Sequence, residues 1–375
     1  MKIVTVIGAR PQIIKASALS RVIQDKYSER IDEVIVHTGQ HYDDNMSEIF
    51  FRQLNIPSPV YNLHAVSTTH GGQISLMTAH LEEIILKESP DAVVLYGDTN
   101  STLAGALAAS KINVPIAHIE AGLRSFDKTM PEEINRILCD NVSTLLFCPT
   151  LCGYNNLLRE GFSNKITPRP DINHPNIYHC GDIMYDNTLF FRKEAESRAE
   201  YRQKYGKDFI LCTVHRNTNT DDTLRLANIC KALLVLAENK KIILPLHPRT
   251  RKKMNEILDV KIKNTFFNAP NIIICDPVGY LEMVYLENNA SIVITDSGGV
   301  QKEAYFLNKP CVVLRPYTEW IEIAESGCSV LADDNTDLIV DSVNNYSENG
   351  INDFPSLFGD GKAAEFICQT IFDCL

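Results

Sequence analysis

Short apolar strands alternate with amphipathic helical segments along the whole chain, and this alternation restricts the available folds more than any other feature. Runs rich in Val and Ile occur at KIVTVIG, DEVIVHT, DAVVLYGD and VPIAHIEAG, and helical patterns such as KASALSRVIQDKY and QISLMTAHLEEIILKE lie between them. Buried strands separated by helices are typical of βαβ units, in which helices cover both faces of a parallel sheet. The sequence therefore predicts an α/β fold.

A second series of the same kind follows a proline-rich stretch, SNKITPRPDINHPN, which we interpret as a surface loop. Beyond it, DFILCTVH, KIILPLHP, NIIICDPV, SIVITDSGG and KPCVVLRP are strand-like. Because the chain has 375 residues, more than one domain is expected at about 150 residues each. We predict two doubly wound, Rossmann-like domains, residues 1–182 and 183–357, with a hinge near Gly181 and strand ends facing a cleft. The last segment, KAAEFICQTIFDCL, could pack on either domain.

Composition excludes several classes of protein. The net charge of −11 argues against a nucleic-acid-binding protein, and no apolar run reaches the ~20 residues of a membrane span. MKIVTVIGARPQ reads as a first strand and turn rather than a signal peptide. Cysteines inside strand-like runs, such as Cys212 and Cys311, are typical of free thiols in a reducing cytoplasm. The close pair Cys148 and Cys152 lacks the further ligands of a metal site.

The first strand ends in IGARPQIIK, which has the features of an anion site. Pro11 suits the first turn of a helix, and Arg10 and Lys15 lie near that N-terminus. The stretch is neither the GxGxxG of a dinucleotide fold nor a GxxxxGK[ST] phosphate loop. A capped turn with surface cations is the alternative interpretation.

Carboxylates follow the next strands of the first series. Asp98 in YGDTNST could be a helix N-cap, whereas Glu120 in HIEAG comes directly after apolar residues, where a partly desolvated carboxylate suits proton transfer. MPEEINR places Glu132 and Glu133 in the first turn of a helix, with Arg136 one turn on. The helix dipole alone would explain that acidic first turn.

The second series ends its strands in the same way. His215 and His247 occur at strand ends in TVHRNTN and LPLHPRT, although a lone histidine is more often structural than functional. TDSGGVQKEA would expose backbone N–H groups at a helix N-terminus, a cradle for phosphate. With so many polar clusters at strand ends, we predict an anionic ligand with acid/base chemistry opposite it.

These motifs resemble those of one family over essentially the whole chain. GARPQIIK, YGDTNST, HIEAGLRS, MPEEINR, VHR, HPRT and TDSGGVQKEA occur in the order found in non-hydrolysing UDP-N-acetylglucosamine 2-epimerases. The resemblance implies the GT-B type of fold, with residues 358–375 returning to the N-terminal domain. It also implies a cytoplasmic homodimer that uses neither metal nor nicotinamide cofactor.

The family mechanism implied by the resemblance is elimination of UDP to a 2-acetamidoglucal, followed by its re-addition with protonation of C2 on the opposite face. Asp98, Glu120 and Glu132 are then the acid/base candidates, and which face each serves stays open. His215, Lys15 and Arg136 would assist catalysis by stabilising the diphosphate or positioning the sugar. The expected substrate-binding residues are Arg10, Ser297, Gly298, Gly299, Glu303 and His247.

The chain departs from the common family pattern at two places. Many members have Gln-His-Arg where this chain has Gln40-His41-Tyr42, and that Arg belongs to a regulatory UDP-GlcNAc site. Trp320 stands where the common enzyme has a phosphate-contacting Arg. The segments TVHRNTN, DPVGYLEM and TEW are closer to enzymes acting on UDP-2,3-diacetamido-2,3-dideoxy-glucuronate. UDP-GlcNAc is the alternative substrate; a GT-B glycosyltransferase, a hydrolysing epimerase and a sugar-nucleotide sensor are the competing functions.

Overall fold

The chain folds into two compact units, each built on its own parallel sheet. The computed structural model describes residues 1–40, 51, 54 and 56–375. Unit 1 comprises Met1–Asn187 together with Ser356–Leu375, and unit 2 comprises Thr188–Pro355. The predicted α/β class with two doubly wound sheets is confirmed. Among the described residues, none of the helices combines the length and apolar character that crossing a bilayer requires.

The sheet of unit 1 has seven strands within the described residues, in the order β3-β2-β1-β4-β5-β6-β7. All neighbouring strands pair in parallel. The strands are β1 Lys2–Ile7, β2 Asp32–His37, β3 Tyr61–Asn62, β4 Ala92–Tyr96, β5 Ile116–Ile119, β6 Leu145–Cys148 and β7 Asn176–His179. The described helices up to the start of unit 2 are α1 Arg10–Val22, continued by a π-helical turn Ile23–Tyr27, α2 His70–Glu88, α3 Asn100–Lys111, α4 Pro131–Val142, α5 Leu151–Arg159 and α6 Ile183–Ser197.

The sheet of unit 2 has six strands in the order β10-β9-β8-β11-β12-β13, again all parallel. They are β8 Phe209–Thr213, β9 Ile242–Pro245, β10 Ile272–Cys275, β11 Ala290–Thr295, β12 Cys311–Val313 and β13 Ser329–Leu331. Its helices are α7 Ala199–Tyr205, α8 Asn217–Thr220, α9 Thr223–Ala237, α10 Pro248–Ile257, α11 Val260–Phe267, α12 Tyr280–Asn289, α13 Gly298–Phe306, α14 Ile321–Glu325 and α15 Thr336–Asn349.

The final helix, α16 Ala363–Cys374, packs against α1 in unit 1. Its N-terminus is held by Asp186, whose carboxylate accepts the backbone N–H groups of Ala363 at 3.1 Å and Ala364 at 2.7 Å. Burial raises the pKa of Asp186 to about 6. Further along, the Tyr27 hydroxyl donates to Gln369 at 2.6 Å. These contacts attach the last helix to α6 through Asp186 and to the π-helical turn after α1 through Tyr27.

Each sheet reverses its strand order at one point, and these two points locate the candidate site residues. In unit 1 the reversal lies between β1 and β4, and in unit 2 it lies between β8 and β11. Open α/β sheets leave a crevice outside the carboxyl ends of the strands that flank such a reversal, because the connecting loops turn away from each other there. The residues that follow these strands are therefore the ones that a ligand of either unit would meet.

Candidate functional site

Glu120 and Lys15 form a shielded ion pair beside the strand reversal of unit 1. Glu120 directly follows β5, and its Oε2 contacts the Nζ of Lys15 on α1. The two side chains are only 11% and 12% exposed. Glu120 also has a φ of +76°, a conformation that strains a residue with a side chain and persists where its surroundings fix it. Burial favours the neutral form of the Glu120 carboxyl, whereas the Lys15 ammonium favours the ionised form. In the ion pair Glu120 is a carboxylate, which is able to accept a proton.

Gly97, which follows β4, leaves the space that this ion pair occupies. A Cβ atom on Gly97 would lie 3.0 Å from the Glu120 Oε2 and 3.3 Å from the Lys15 Nζ. Its φ is +63°, within the left-handed region that only glycine adopts readily. Sterics and backbone conformation therefore both favour glycine at this position.

Asp98 forms an ion pair with Arg136, which comes from α4. The same guanidinium donates to Glu133 at 2.7 Å. Glu133 is buried and also accepts the backbone N–H groups of Ser125 at 2.9 Å and Phe126 at 3.1 Å. Glu133 thus fixes the loop before α4 and orients Arg136, while the Asp98 side chain remains 31% exposed.

Arg10 and Glu132 lie at the starts of two helices. Both are exposed, Arg10 at the start of α1 and Glu132 in the first turn of α4. The turn before α1 is fixed by Gln12, whose side-chain oxygen accepts the N–H groups of Gly8 and Ala9 at 2.9 and 3.1 Å. The structure therefore brings together Lys15 with Glu120 and Asp98 with Arg136.

A fully buried histidine, which sequence reasoning missed, ties the two strand ends of unit 1 together. His118 on β5 contacts the Gly97 carbonyl through Nε2 at 2.8 Å and Asp140 Oδ1 through Nδ1 at 2.7 Å. Both partners accept hydrogen bonds when Asp140 is ionised, so both ring nitrogens carry hydrogen and the imidazole is positively charged. His118 precedes Glu120 by two residues and its ring holds the residue before Asp98, so it fixes the relative position of both carboxylates.

Asp140 and Arg124 extend this buried network. Asp140 Oδ2 lies 2.8 Å from the Arg124 guanidinium and accepts the Gly122 N–H at 3.1 Å. Although burial alone would lower the pKa of His118, its neighbours Cys139 and Asp140 hold that pKa well above the usual range. Burial likewise opposes ionisation of Asp140, but His118 and Arg124 lower the pKa of its carboxyl. In this buried network the Asp140 anion therefore lies between two cations, His118 and Arg124.

In unit 2, Asp296 organises the residues that end β8. Its carboxylate is fully buried and accepts the backbone N–H of His215 at 3.0 Å and that of Arg216 at 2.9 Å. The Nδ1 of His215 lies 3.3 Å from Asp296 Oδ1, and the His215 side chain is 46% exposed. A histidine whose one nitrogen faces a buried carboxylate can present the other to a ligand as a proton donor or acceptor. Asp296 carries the signal that identified Glu120, an acid directly after an apolar strand, but sequence reasoning passed over it.

The N-terminus of α13 has the open backbone expected of a phosphate cradle. Ser297 is the N-cap, and its hydroxyl accepts the Val300 N–H at 3.4 Å. A Cβ on Gly299 would meet only the Ser297 hydroxyl, at 3.8 Å, whereas one on Gly298 would lie 3.3 Å from Glu319 Oε2. The Trp320 indole N–H donates to the Gly298 carbonyl at 2.9 Å. Ser297, Gly298 and Gly299 therefore lie together where an anion could approach their backbone.

The remaining predicted residues of unit 2 have identifiable local contacts. His247 is exposed, and its Nδ1 accepts the Arg249 N–H at 3.2 Å, which caps α10. Glu303 is half-buried on α13 and contacts the carboxyl of Glu287 on α12. Gln40 accepts the Ser101 N–H at 3.0 Å, whereas His41 and Tyr42 lie outside the described residues. Within the described part of the chain, no group of three or more His, Cys, Asp or Glu residues is arranged to hold a metal ion.

The chain is similar along its whole length to sugar-nucleotide epimerases. The family model described as UDP-N-acetylglucosamine 2-epimerase matches residues 25–372. The chain is 50% identical to the UDP-2,3-diacetamido-2,3-dideoxy-D-glucuronate 2-epimerase of Pseudomonas aeruginosa, with 98% of this chain and 99% of that protein covered. It is 43% identical to the UDP-N-acetylglucosamine 2-epimerase of Methanocaldococcus jannaschii, with 99% of each covered. A crystal structure of the M. jannaschii enzyme in complex with UDP-GlcNAc and UDP matches with a TM-score of 0.81 at 42% identity, covering 99% of each chain.

Proposed function

The chain belongs to the non-hydrolysing UDP-N-acetylglucosamine 2-epimerase family of isomerases, and we propose that it inverts C2 of a UDP-2-acetamido sugar. We favour UDP-2,3-diacetamido-2,3-dideoxy-glucuronate as the substrate and its manno epimer as the product. The observation that carries this choice is the higher identity to the P. aeruginosa enzyme of that name than to the M. jannaschii enzyme. UDP-GlcNAc is the second candidate, supported by the match to a structure that contains it.

The reaction begins with removal of the C2 proton by a carboxylate. The electron pair of that C–H bond forms the C1=C2 double bond, and the C1–O bond breaks so that UDP leaves with its electrons on the phosphate oxygen. UDP then adds back to C1 of the 2-acetamidoglucal while a second group protonates C2 on the opposite face. Because the C2 proton is weakly acidic, the reaction needs positioned proton carriers and stabilisation of the leaving phosphate.

We assign the proton transfers to unit 1. Glu120, kept ionised by Lys15, and Asp98, oriented by Arg136, are two carboxylates on neighbouring strand ends. Two carboxylates from separate strands suit a reaction that handles protons on two faces of one carbon. Glu132 stays a third candidate; as an exposed residue at a helix start, it would have to act on substrate that reaches it.

We assign the nucleotide to unit 2. The α13 N-terminus with Ser297, Gly298 and Gly299 would bind the diphosphate through backbone N–H groups, and Glu303 would accept hydrogen bonds from the ribose. His215, held by Asp296, would stabilise the departing phosphate, with Arg10 and His247 as further substrate contacts.

We propose that the protein acts as a cytoplasmic homodimer and that its product supplies a surface polysaccharide.

Proton NMR in D2O tests this function directly. The purified protein is incubated separately with UDP-GlcNAc and with the diacetamido-glucuronate nucleotide. Deuterium at C2 together with a manno product is the expected result, faster with the uronate. If both sugar nucleotides stay intact and unlabelled, the epimerase proposal is wrong, and a transferase or a binding protein takes its place.

A further inference from the structure

Glu287 is a buried acidic side chain of unit 2 that lacks a hydrogen-bond donor among the described residues. It lies on α12, it is fully buried, and neither of its carboxyl oxygens accepts a hydrogen bond from a donor among the described residues. Helix α13 packs against α12, and the Glu303 carboxyl on α13 lies close enough to Glu287 to act on it through its charge and through hydrogen bonding. Burying a carboxylate without a donor or a cation is strongly unfavourable.

Two carboxyl groups can form a hydrogen bond only if one of them carries a proton. When ionised, each group only accepts, so an unprotonated pair would repel at short distance. Glu287 is the buried member and Glu303 is half-buried. The proton therefore belongs on Glu287, and both burial and the charge of Glu303 raise the pKa of the Glu287 carboxyl well above its usual range.

We propose that Glu287 is a neutral carboxylic acid whose O–H donates to Glu303 and thereby orients the Glu303 carboxylate to read the ribose hydroxyls of the nucleotide. Glu287 is a positioning residue in this arrangement and does not touch the ligand. The inference rests on the proposed function, in which Glu303 binds the ribose of UDP, and it adds the group that orients the carboxylate for the ribose hydroxyls.

The two helices show why such a donor is needed. Glu303 lies in the second turn of α13, whose N-terminus we propose as the diphosphate cradle. A half-buried side chain has to be ordered when it binds a ligand, and a neighbour that orients it beforehand lowers the cost of that ordering. A hydrogen bond from the rigid, buried Glu287 supplies that order in advance.

The test compares UDP with 2′-deoxy-UDP by isothermal titration calorimetry. Wild-type protein is expected to prefer UDP by about tenfold or more, since a hydrogen bond to a charged group is lost with the deoxy ligand. Glu287→Leu removes the donor and should reduce this preference to about two- or threefold. Glu287→Gln keeps a donor in its amide and should retain the wild-type preference.

Each outcome decides one question. A folded Glu287→Leu protein that keeps the full preference, or a Glu287→Gln protein that loses it, overturns the inference. So does wild-type protein that binds both ligands equally. Wild-type protein that binds neither ligand contradicts the proposed function instead.

A second measurement does not depend on the Leu variant folding. The infrared difference spectrum of wild type minus Glu287→Gln at neutral pH should contain the carbonyl band of a protonated carboxylic acid. A difference spectrum that shows only an ionised carboxylate overturns the inference.

Discussion

Gly97→Ala isolates the contribution of the Lys15–Glu120 ion pair, because the added methyl group would enter the space beside it. The new Cβ would lie 3.0 Å from the Glu120 Oε2 and 3.3 Å from the Lys15 Nζ. Both distances are shorter than an ordinary van der Waals contact, so the ion pair has to shift by a few tenths of an ångström. Separately, a φ of +63° costs alanine about 1–2 kcal/mol relative to glycine.

A matched control separates these two effects. Gly161 in unit 1 has a φ of +98°, and a Cβ there would meet nothing within 4 Å. Gly161→Ala therefore carries the backbone strain without the contact, and we expect both variants to lose about 1–2 kcal/mol in the free energy of unfolding. Only Gly97→Ala should lose turnover, by up to about 10-fold, since misplacing a reacting group by about 1 Å can cost a factor of about 100 and the displacement here is smaller.

The assays are deuterium incorporation at C2 for turnover and urea denaturation for stability. Gly97→Ala protein that is folded and turns over within about twofold of Gly161→Ala would refute the reasoning, because the ion pair would then tolerate displacement. Equal losses of turnover in both variants would refute it as well, because strain alone would explain them.

Three further predictions concern the charged groups around the strand ends. Glu120→Gln should abolish deuterium exchange at C2 while calorimetric UDP affinity stays unchanged; near wild-type exchange would remove Glu120 from the proton transfers. His118→Leu should destabilise unit 1 by about 3–5 kcal/mol in urea, because it breaks a buried ion pair. Since the folded-state pKa of His118 is raised above its unfolded value, its contribution is complete below about pH 6.5 and declines as pH rises towards the folded pKa. The stability gap should therefore narrow between pH 6 and 9, and a constant gap would contradict the charged form of His118. Asp296→Asn should lower kcat by about 10- to 100-fold through loss of the charge facing His215, whereas an unchanged kcat would limit Asp296 to a structural role.

The strands that flank both reversals could be predicted from sequence because they are apolar runs of Val and Ile. KIVTVIG and DAVVLYGD contain β1 and β4, and SIVITDSGG contains most of β11. The edge strands β3 and β13 could not, since they have two and three residues and no alternating pattern. Such short strands form because they pair with a neighbouring strand, and the local sequence carries no information about that pairing.

Site residues could be predicted where the neighbouring sequence alone indicates their role. They could not be predicted where the role depends on contact with a residue far away in the sequence. An acid after an apolar strand indicated Glu120, but nothing local indicates that His118 meets Asp140, which lies 22 residues further on. The sequence also does not distinguish the roles of two adjacent glutamates. Glu132 and Glu133 have the same local sequence, yet burial makes Glu133 an anchor for backbone N–H groups and leaves Glu132 exposed.

The return of α16 to α1 reverses the order in which the two units are completed during synthesis. Unit 2 is one continuous stretch, Thr188–Pro355, so all of its residues are synthesised before the last helix. Unit 1 begins first, but the side of its first helix that packs against α16 stays uncovered until α16 has been made. Every residue of unit 2 is therefore made while unit 1 still lacks its last helix, and the surface that α16 covers is available to chaperones or to aggregation until then.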